Sequence, residues 1–354
     1  MAMIRRLFCY VGMMLLCVPQ ICAAQRAVTL NYGLSQFLVS TAPLFSVPLQ
    51  MGFWKQEGLD VSLEGANGGS AAIQQLATRQ VQMTITGVPS LMQLKEKGAP
   101  VIAVGSAYTV NPFFPAVLAT SPIHSIQDFK GKTVAVTSLT VSHIYWLRAM
   151  LVHAGLKADD VTFVPVGGAG GPVLYAMRTG QVDIFEAFDA AYAELEVNGA
   201  VLRRFDNLDY LKQLAFVQGI YVNEATVKSD PDLIVKLLRG IAKGIVFSKE
   251  NPEAAIRLHW KEFPTSKPIG VDDAKAMQDS LHVLDAQLRS LDADASFGRV
   301  TREQVEAVRD VLFDNQAIEK KLPAGAYYTD QFLTRANDFD RDAVRKAARD
   351  FKSN

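Results

Sequence analysis

Gly52-Phe53-Trp54-Lys55-Gln56-Glu57-Gly58-Leu59-Asp60-Val61 carries a helix stop, a glycine turn and the start of a strand within one short stretch. A helix from Pro43 to Met51 stops at Gly52, and Gly58 suits a turn that needs positive φ before a strand over Asp60–Leu63. Upstream, Ala27 to Tyr32 reads as a first strand. Downstream, Ser70 is placed to cap a helix from Ala71 to Thr78, and Val81 to Ile85 is a third strand. Gly87 and Pro89 open another helix, which Gly98 closes. Short apolar strands alternating with amphipathic helices predict parallel α/β structure.

A second series of the same kind follows Ser121-Pro122. Thr133 to Val136 is a strand, Ser142 caps a helix ending at Gly155, and Val161 to Val164 is a strand. Val173 to Thr179 reads as helix, Val182 to Phe185 as strand, Ala190 to Val197 as helix, and Leu214 to Val222 contains a further strand. Beyond Ser229 the pattern is helical over Pro231–Phe247, Pro252–Trp260, Asp272–Leu291 and Thr301–Asn315. The two series echo one another. Leu76-Ala77-Thr78-Arg79-Gln80-Val81-Gln82 resembles Met177-Arg178-Thr179-Gly180-Gln181-Val182-Asp183, each a helix end feeding an apolar strand. Two αβ junctions can look alike by chance; two lobes built on one plan is the alternative.

The chain has 354 residues, 36 basic and 36 acidic, and 49% hydrophobic composition. That length exceeds one comfortable core and favours two lobes. Arg5 and Arg6 precede the apolar run Leu7–Val18, and Cys22-Ala23-Ala24 has the small residues of a cleavage site. Such a run falls short of the about 20 residues that span a bilayer of roughly 30 Å. A signal segment over 1–24 and a mature chain starting near Gln25 are expected, with a retained anchor as the competing reading. Lipidation is disfavoured, because Leu16 and Ile21 rather than small residues precede Cys17 and Cys22. Cys9, Cys17 and Cys22 all lie in that segment, so the mature chain has no thiol to form a disulfide, ligate a metal or act as nucleophile. Without Arg5 and Arg6, 34 basic side chains face 36 acidic ones, a net charge of −2. No basic stripe points to nucleic acid and no polybasic tract to a lipid surface.

The opening stretch resembles the G-F-F-K-E-E-G-L-D-V signature of the substrate-binding proteins of ABC transporters that serve nitrate, sulfonates, taurine and thiamine-pyrimidine precursors. Further matches follow in order: Gly68-Gly69 before a helix, then Ser125-Ile126-Gln127-Asp128-Phe129-Lys130-Gly131-Lys132-Thr133-Val134-Ala135-Val136, similar to S-x-x-D-L-K-G-K-x-V-A-V. Gly155-Leu156 and Gly180-Gln181-Val182-Asp183 complete the set, which covers roughly residues 27–225. One departure is Arg79-Gln80-Val81-Gln82, where the family has G-Q-V-D; it implies altered hydrogen bonding at that turn. The resemblance implies a type II periplasmic-binding-protein fold. Residues 25–119 with 214–330 would form lobe one and 120–213 lobe two, with 331–354 a helical tail on lobe one. It also implies a monomeric periplasmic protein whose partners are a small-molecule ligand and the permease and ATPase of an ABC importer.

In open α/β sheets ligands bind beyond the carboxyl ends of the strands, where helix N-termini present free N–H groups. The loops after strands therefore supply the candidates: Ser35, Ser40 and Thr41 after the first, Gly87 and Ser90 after the third. Ser138, Ser142 and His143 lie between the first strand and first helix of lobe two, and Glu186, Phe188 and Asp189 follow its third strand. Tyr108 lies near Phe113 and Phe114, an aromatic pair that follows a strand. His143 is the sharpest of these, since a neutral ring on a helix's first turn can donate to a ligand oxygen. For Ser40 and Thr41 structural capping explains the residues equally well. These loops hold no Lys or Arg, which favours an organic solute of at most one negative charge over an ion-paired inorganic dianion. Gly167-Gly168-Ala169-Gly170-Gly171 lacks the Gly-Lys-Ser/Thr ending and any Rossmann spacing, so it reads as a loop or helix start and no cofactor is expected. No metal-ligand spacing and no catalytic constellation appears. An enzyme of the same fold, resembling those of thiamine-pyrimidine or menaquinone synthesis, and a ligand-sensing module are the competing functions.

Overall fold

The computed structural model describes residues 25–206 and 214–352, so the expected signal segment over 1–24 lies outside the described residues. The first series builds β1 (Arg26–Tyr32), α1 (Ser46–Gln50), α2 (Phe53–Gln56), β2 (Leu59–Gly65), α3 (Gly69–Ala77), β3 (Met83–Gly87), α4 (Val88–Glu96) and β4 (Val101–Ser106). The second builds β5 (Phe113–Leu118), β6 (Thr133–Val136), α5 (His143–His153), β7 (Thr162–Pro165), α6 (Gly171–Arg178), β8 (Ile184–Phe188), α7 (Asp189–Val197) and β9 (Leu202–Arg204). The chain then returns as β10 (Gln218–Asn223) and continues into helices, of which Pro231–Glu250, Pro252–Glu262, Asp273–Leu288 and Arg302–Asp314 are the long ones.

Two five-stranded sheets result, ordered β2-β1-β3-β10-β4 and β7-β6-β8-β5-β9. In each, three neighbouring strands pair in parallel (β2-β1-β3 and β7-β6-β8), and the fourth position is taken by an antiparallel strand, β10 or β5, that has just crossed from the other lobe. β5 therefore belongs to the second sheet, and the chain crosses between Ser106 and Phe113 rather than near residue 119. The sequence predicts a lobe boundary at residues 119–120 and sets Phe113 and Phe114 after a strand; in the fold both lie in β5, a strand that contains Pro115. β3, β8 and β10 are buried at every position, as strands covered on both faces are.

The decisive stretch docks the long helix onto lobe one. Gly52 and Gly58 have φ of 67° and 80°, as a helix stop and a turn into β2 require. Phe53 and Trp54 between them are buried. Trp54 Nε1 donates to the Leu237 carbonyl at 3.0 Å, and Glu57 pairs with Arg239 at 3.1 Å. The helix approaches closely enough that a Cβ at Gly240 would lie 2.0 Å from the Trp54 ring nitrogen. In lobe one two expected caps are absent: α1 starts at Ser46 without a side-chain cap, and Gly68 rather than Ser70 precedes α3. Asp128 caps the turn before β6 by accepting from the backbone N–H groups of His124 and Ser125.

The internal echo is structural. At the start of β6, Thr133 N–H donates to Asp183 Oδ2 at 2.9 Å, and midway along β1, Thr29 N–H donates to Gln82 Oε1 at 2.7 Å. In return, Asp183 N–H and Gln82 N–H each donate to the carbonyls of Thr133 and Thr29 at 2.9 Å. Gln82 thus replaces the family's Asp with no loss of that bond. Gly180 and Arg79 hold the same left-handed turn, at φ 71° and 62°. A non-glycine residue there is strained by about 1 kcal/mol or more. Arg79→Gly is expected to raise the urea midpoint, with a gain of roughly 0.5–1 kcal/mol after the entropy cost of glycine. A lowered midpoint would show that the Arg79 side chain contributes more than its backbone costs.

Candidate functional site

The carboxyl ends of both sheets face one another, and the lobes meet there. A Cβ at Gly87 would lie 2.3 Å from Ser142 Cβ, and one at Gly68 2.3 Å from Thr140 Oγ1. Ser90 Oγ and Ser142 Oγ share a hydrogen bond of 3.2 Å across this seam. Ser142 was expected to cap α5; it makes no cap bond and reaches lobe one instead.

Beside the seam is a cavity of about 40 Å³, room for a few water molecules. Lobe one contributes Tyr32, Gly33, Gly69, Thr86, Gly87 and Gln218 to its lining, and Tyr108 comes from the crossing segment. Lobe two contributes Phe113, Thr137, Ser142, His143 and Phe188. Phe113 stacks on His143 with centroids 5.5 Å apart and planes 7° off parallel, and Phe188 meets Phe113 edge-on at 6.2 Å. His143 is buried, and its Nδ1 has no partner among the described residues. Burial pulls its pKa down to about 3, so the ring is neutral near pH 7. Burial likewise pushes the Tyr108 hydroxyl up to about 12. The wall therefore carries aromatic faces and neutral polar groups, and no charged side chain.

Two further cavities adjoin it, one beyond the other. A middle chamber of about 100 Å³ shares Leu34, Thr137 and Phe188 with it and adds Ser35, Gln36, Gly167 to Ala169 and Glu194. An outer chamber of about 410 Å³ shares Leu38 and Glu194 with the middle one and reaches Ile269, Lys275 and Asp279.

Of the expected site residues, Gly87, Tyr108, Ser142, His143 and Phe188 come together on the inner lining, with Ser90 directly behind Ser142 and exposed Ser35 in the middle chamber. The rest lie elsewhere. Ser40 and Thr41 form a buried 3-10 turn, where Thr41 Oγ1 donates to the Leu38 carbonyl at 2.7 Å. Ser138 spends its hydroxyl on Thr140 at 2.9 Å. Asp189 pairs with Arg204 at 3.4 Å, a contact that depends on β9, a strand of three residues too short to be seen in sequence. Glu186 is fully buried on β8, on the face it shares with Phe188 but outside the lining. Neither of its oxygens has a partner among the described residues, and burial holds its carboxyl well above the usual range. Gln218 and Glu194 were missed: one is on an antiparallel strand whose cleft end cannot be known from sequence, the other well inside a helix.

Among the described residues no group of three or more His, Cys, Asp or Glu is placed to hold a metal, and no helix is long and apolar enough to cross a membrane. The two facing α/β lobes with a cleft between them define a periplasmic-binding-protein fold. Residues 44–255 match the model of the NMT1/THI5-like family, and the chain belongs to that family. The chain is 24% identical over 232 residues to the riboflavin-binding protein RibY of Chloroflexus aurantiacus and 24% over 212 to the formylaminopyrimidine-binding protein of Halalkalibacterium halodurans. These matches cover 65% and 60% of this chain and 64% of each relative's own length, less than two thirds. It is also 24% identical over 257 residues (66% of this chain, 71% of the relative) to the 4-amino-5-hydroxymethyl-2-methylpyrimidine phosphate synthase THI11 of Saccharomyces cerevisiae. The periplasmic aliphatic sulphonate binding protein SsuA of Escherichia coli has the same fold, with a TM-score of 0.66 at 18% identity, covering 85% of this chain and 91% of that one.

Glu186 has a consequence for stability. Its carboxyl keeps a proton in the folded chain at pH values where the unfolded one has lost it, so its contribution falls as pH rises from about 4.5 toward the higher folded value. Glu186→Gln is neutral throughout. The stability of this variant relative to the native chain should rise between pH 5 and 8 by up to about 1.4 kcal/mol per pH unit while the carboxyl stays protonated. Urea denaturation across that range measures it, and a pH-independent difference would mean that Glu186 ionises normally.

Proposed function

We propose that the chain is the solute-binding component of an ABC importer, exported to the periplasm, and that it holds a small planar organic solute of at most one negative charge between its lobes. The observation that carries this is the uncharged inner chamber, walled by the Phe113–His143 stack and set where the strand ends of both lobes converge. Aromatic faces favour a planar ring. Neutral hydroxyls and helix-terminal N–H groups can hold one carboxylate or sulfonate without an arginine, whereas a dianion would lack a counter-charge. The binding-protein relatives and the sulphonate-binding fold neighbour support the importer role. The synthase relative favours an enzyme as the second reading. Against it stands His143, whose pKa of about 3 makes it a weak general base near neutral pH.

A ligand touching both lobes favours the state in which they meet. Gly87→Ala places a methyl group against Ser142 and is expected to keep the lobes apart. In a thermal-shift panel of planar carboxylates, sulfonates and pyrimidines, the best ligand at 100 times its Kd stabilises the native chain by about 2.7 kcal/mol. Gly87→Ala should weaken that ligand at least tenfold and abolish the decrease in radius of gyration seen by small-angle scattering. Adding Ser142→Gly, which removes the clashing atoms, should restore part of both. Native affinity and native compaction in Gly87→Ala would overturn the placement of the solute in this cleft.

A further inference from the structure

α7 carries Asp189, Glu194 and Glu196, and two of the three acids are neutralised within the fold. Arg204 pairs with Asp189 at 3.4 Å and with Glu196 at 2.6 Å, and His282 adds a second bond to Glu196 at 2.9 Å. The Glu194 carboxylate has neither a hydrogen bond nor an ion pair among the described residues, although the residue is part-buried between the lobes. Among the described residues it is the one ionisable side chain on the middle chamber, and it also borders the outer one. The charges facing it from the helix Asp273–Leu288 are Lys275 and Asp279, and these are bonded to each other. A carboxylate half out of water with no partner is costly unless something supplies a donor. The space beside it is the middle chamber, and Phe188 lines both that chamber and the inner one.

We propose that Glu194 is the specificity-determining residue of this cleft, taking the cationic, N–H-donating group of a solute whose ring lies against Phe188. The solute class is thus a planar ring bearing a protonated amine. The assignment rests on the reading of the cleft as the solute site. Burial lifts the Glu194 carboxyl to about 7, so at and above neutral pH a cation beside it gains a charge-assisted hydrogen bond and favours the ionised form. Below that value the carboxyl takes a proton, and its attraction for a cation fades.

Benzylamine and benzyl alcohol make a matched pair of probes, equal in ring and size and differing in charge. Titration followed by NMR at pH about 7.5 is expected to show benzylamine preferred at least tenfold by the native chain. Glu194→Gln should bring that ratio close to one, and the native ratio should shrink at pH about 5.5, where the amine is still charged. A native preference of less than twofold, an unchanged ratio in Glu194→Gln, or no binding of either probe at tens of millimolar would overturn the assignment. Gly87→Ala separates it from the reading beneath it. If that variant weakens both probes while Glu194→Gln keeps the ratio, the cleft stands and Glu194 falls. If Gly87→Ala binds both probes as the native chain does, the cleft itself is misplaced.

Discussion

The architecture turns on one steric constraint, the close approach of two glycines of lobe one to two hydroxyl residues of lobe two. Gly87 faces Ser142 and Gly68 faces Thr140 with no space for a Cβ on either glycine. Because the lobes can come this close, the strand ends of both sheets border one small chamber instead of a broad groove. The Ser90–Ser142 bond then lies at the seam, and the aromatic wall of Phe113, His143 and Phe188 lies immediately behind it. The rest of the cleft is graded outward from that point, from about 40 to about 410 Å³.

Electrostatics follows the same gradient. Deep in the cleft burial suppresses ionisation: it lowers the His143 pKa to about 3 and raises Tyr108 to about 12, so the walls offer faces and neutral polar groups. One helix outward, α7 presents three acids, and Arg204 on β9 neutralises two of them. Charge recognition is left to Glu194, at the boundary between buried and solvated space. A small change of ligand charge at that boundary has large effects because the effective dielectric is low enough for a pair to matter and high enough for the ion to exist.

Much of this was legible in the chain. The helix stop at Gly52, the turn at Gly58, the β6 boundaries and the long C-terminal helices follow from glycine placement and hydrophobic period. The echo of Leu76–Gln82 in Met177–Asp183 encodes a repeated set of backbone bonds, with Arg79 forced into the conformation that Gly180 adopts freely. For the site, the positions after strands led to Gly87, Ser142, His143 and Phe188, because strand ends and helix starts are local features. Ser40, Thr41, Ser138 and Asp189 satisfy the same local rule, yet their polar groups are committed elsewhere. No local rule says which hydroxyl will find a partner within its own turn.

By itself, then, the sequence determined the α/β alternation, the two-lobed plan and the absence of Lys and Arg from the strand-end loops, since each depends on residue type and near-neighbour spacing. Only the tertiary structure decided that β5 joins the second sheet, that Phe113 stacks on His143, and that Arg204 neutralises two acids of α7 and leaves Glu194 unpaired. The physical reason is range. Periodicity and turns are set within a few residues. Pairing, stacking and burial join positions far apart in the chain, and whether a buried carboxylate has a partner is known only once every other group has taken its place.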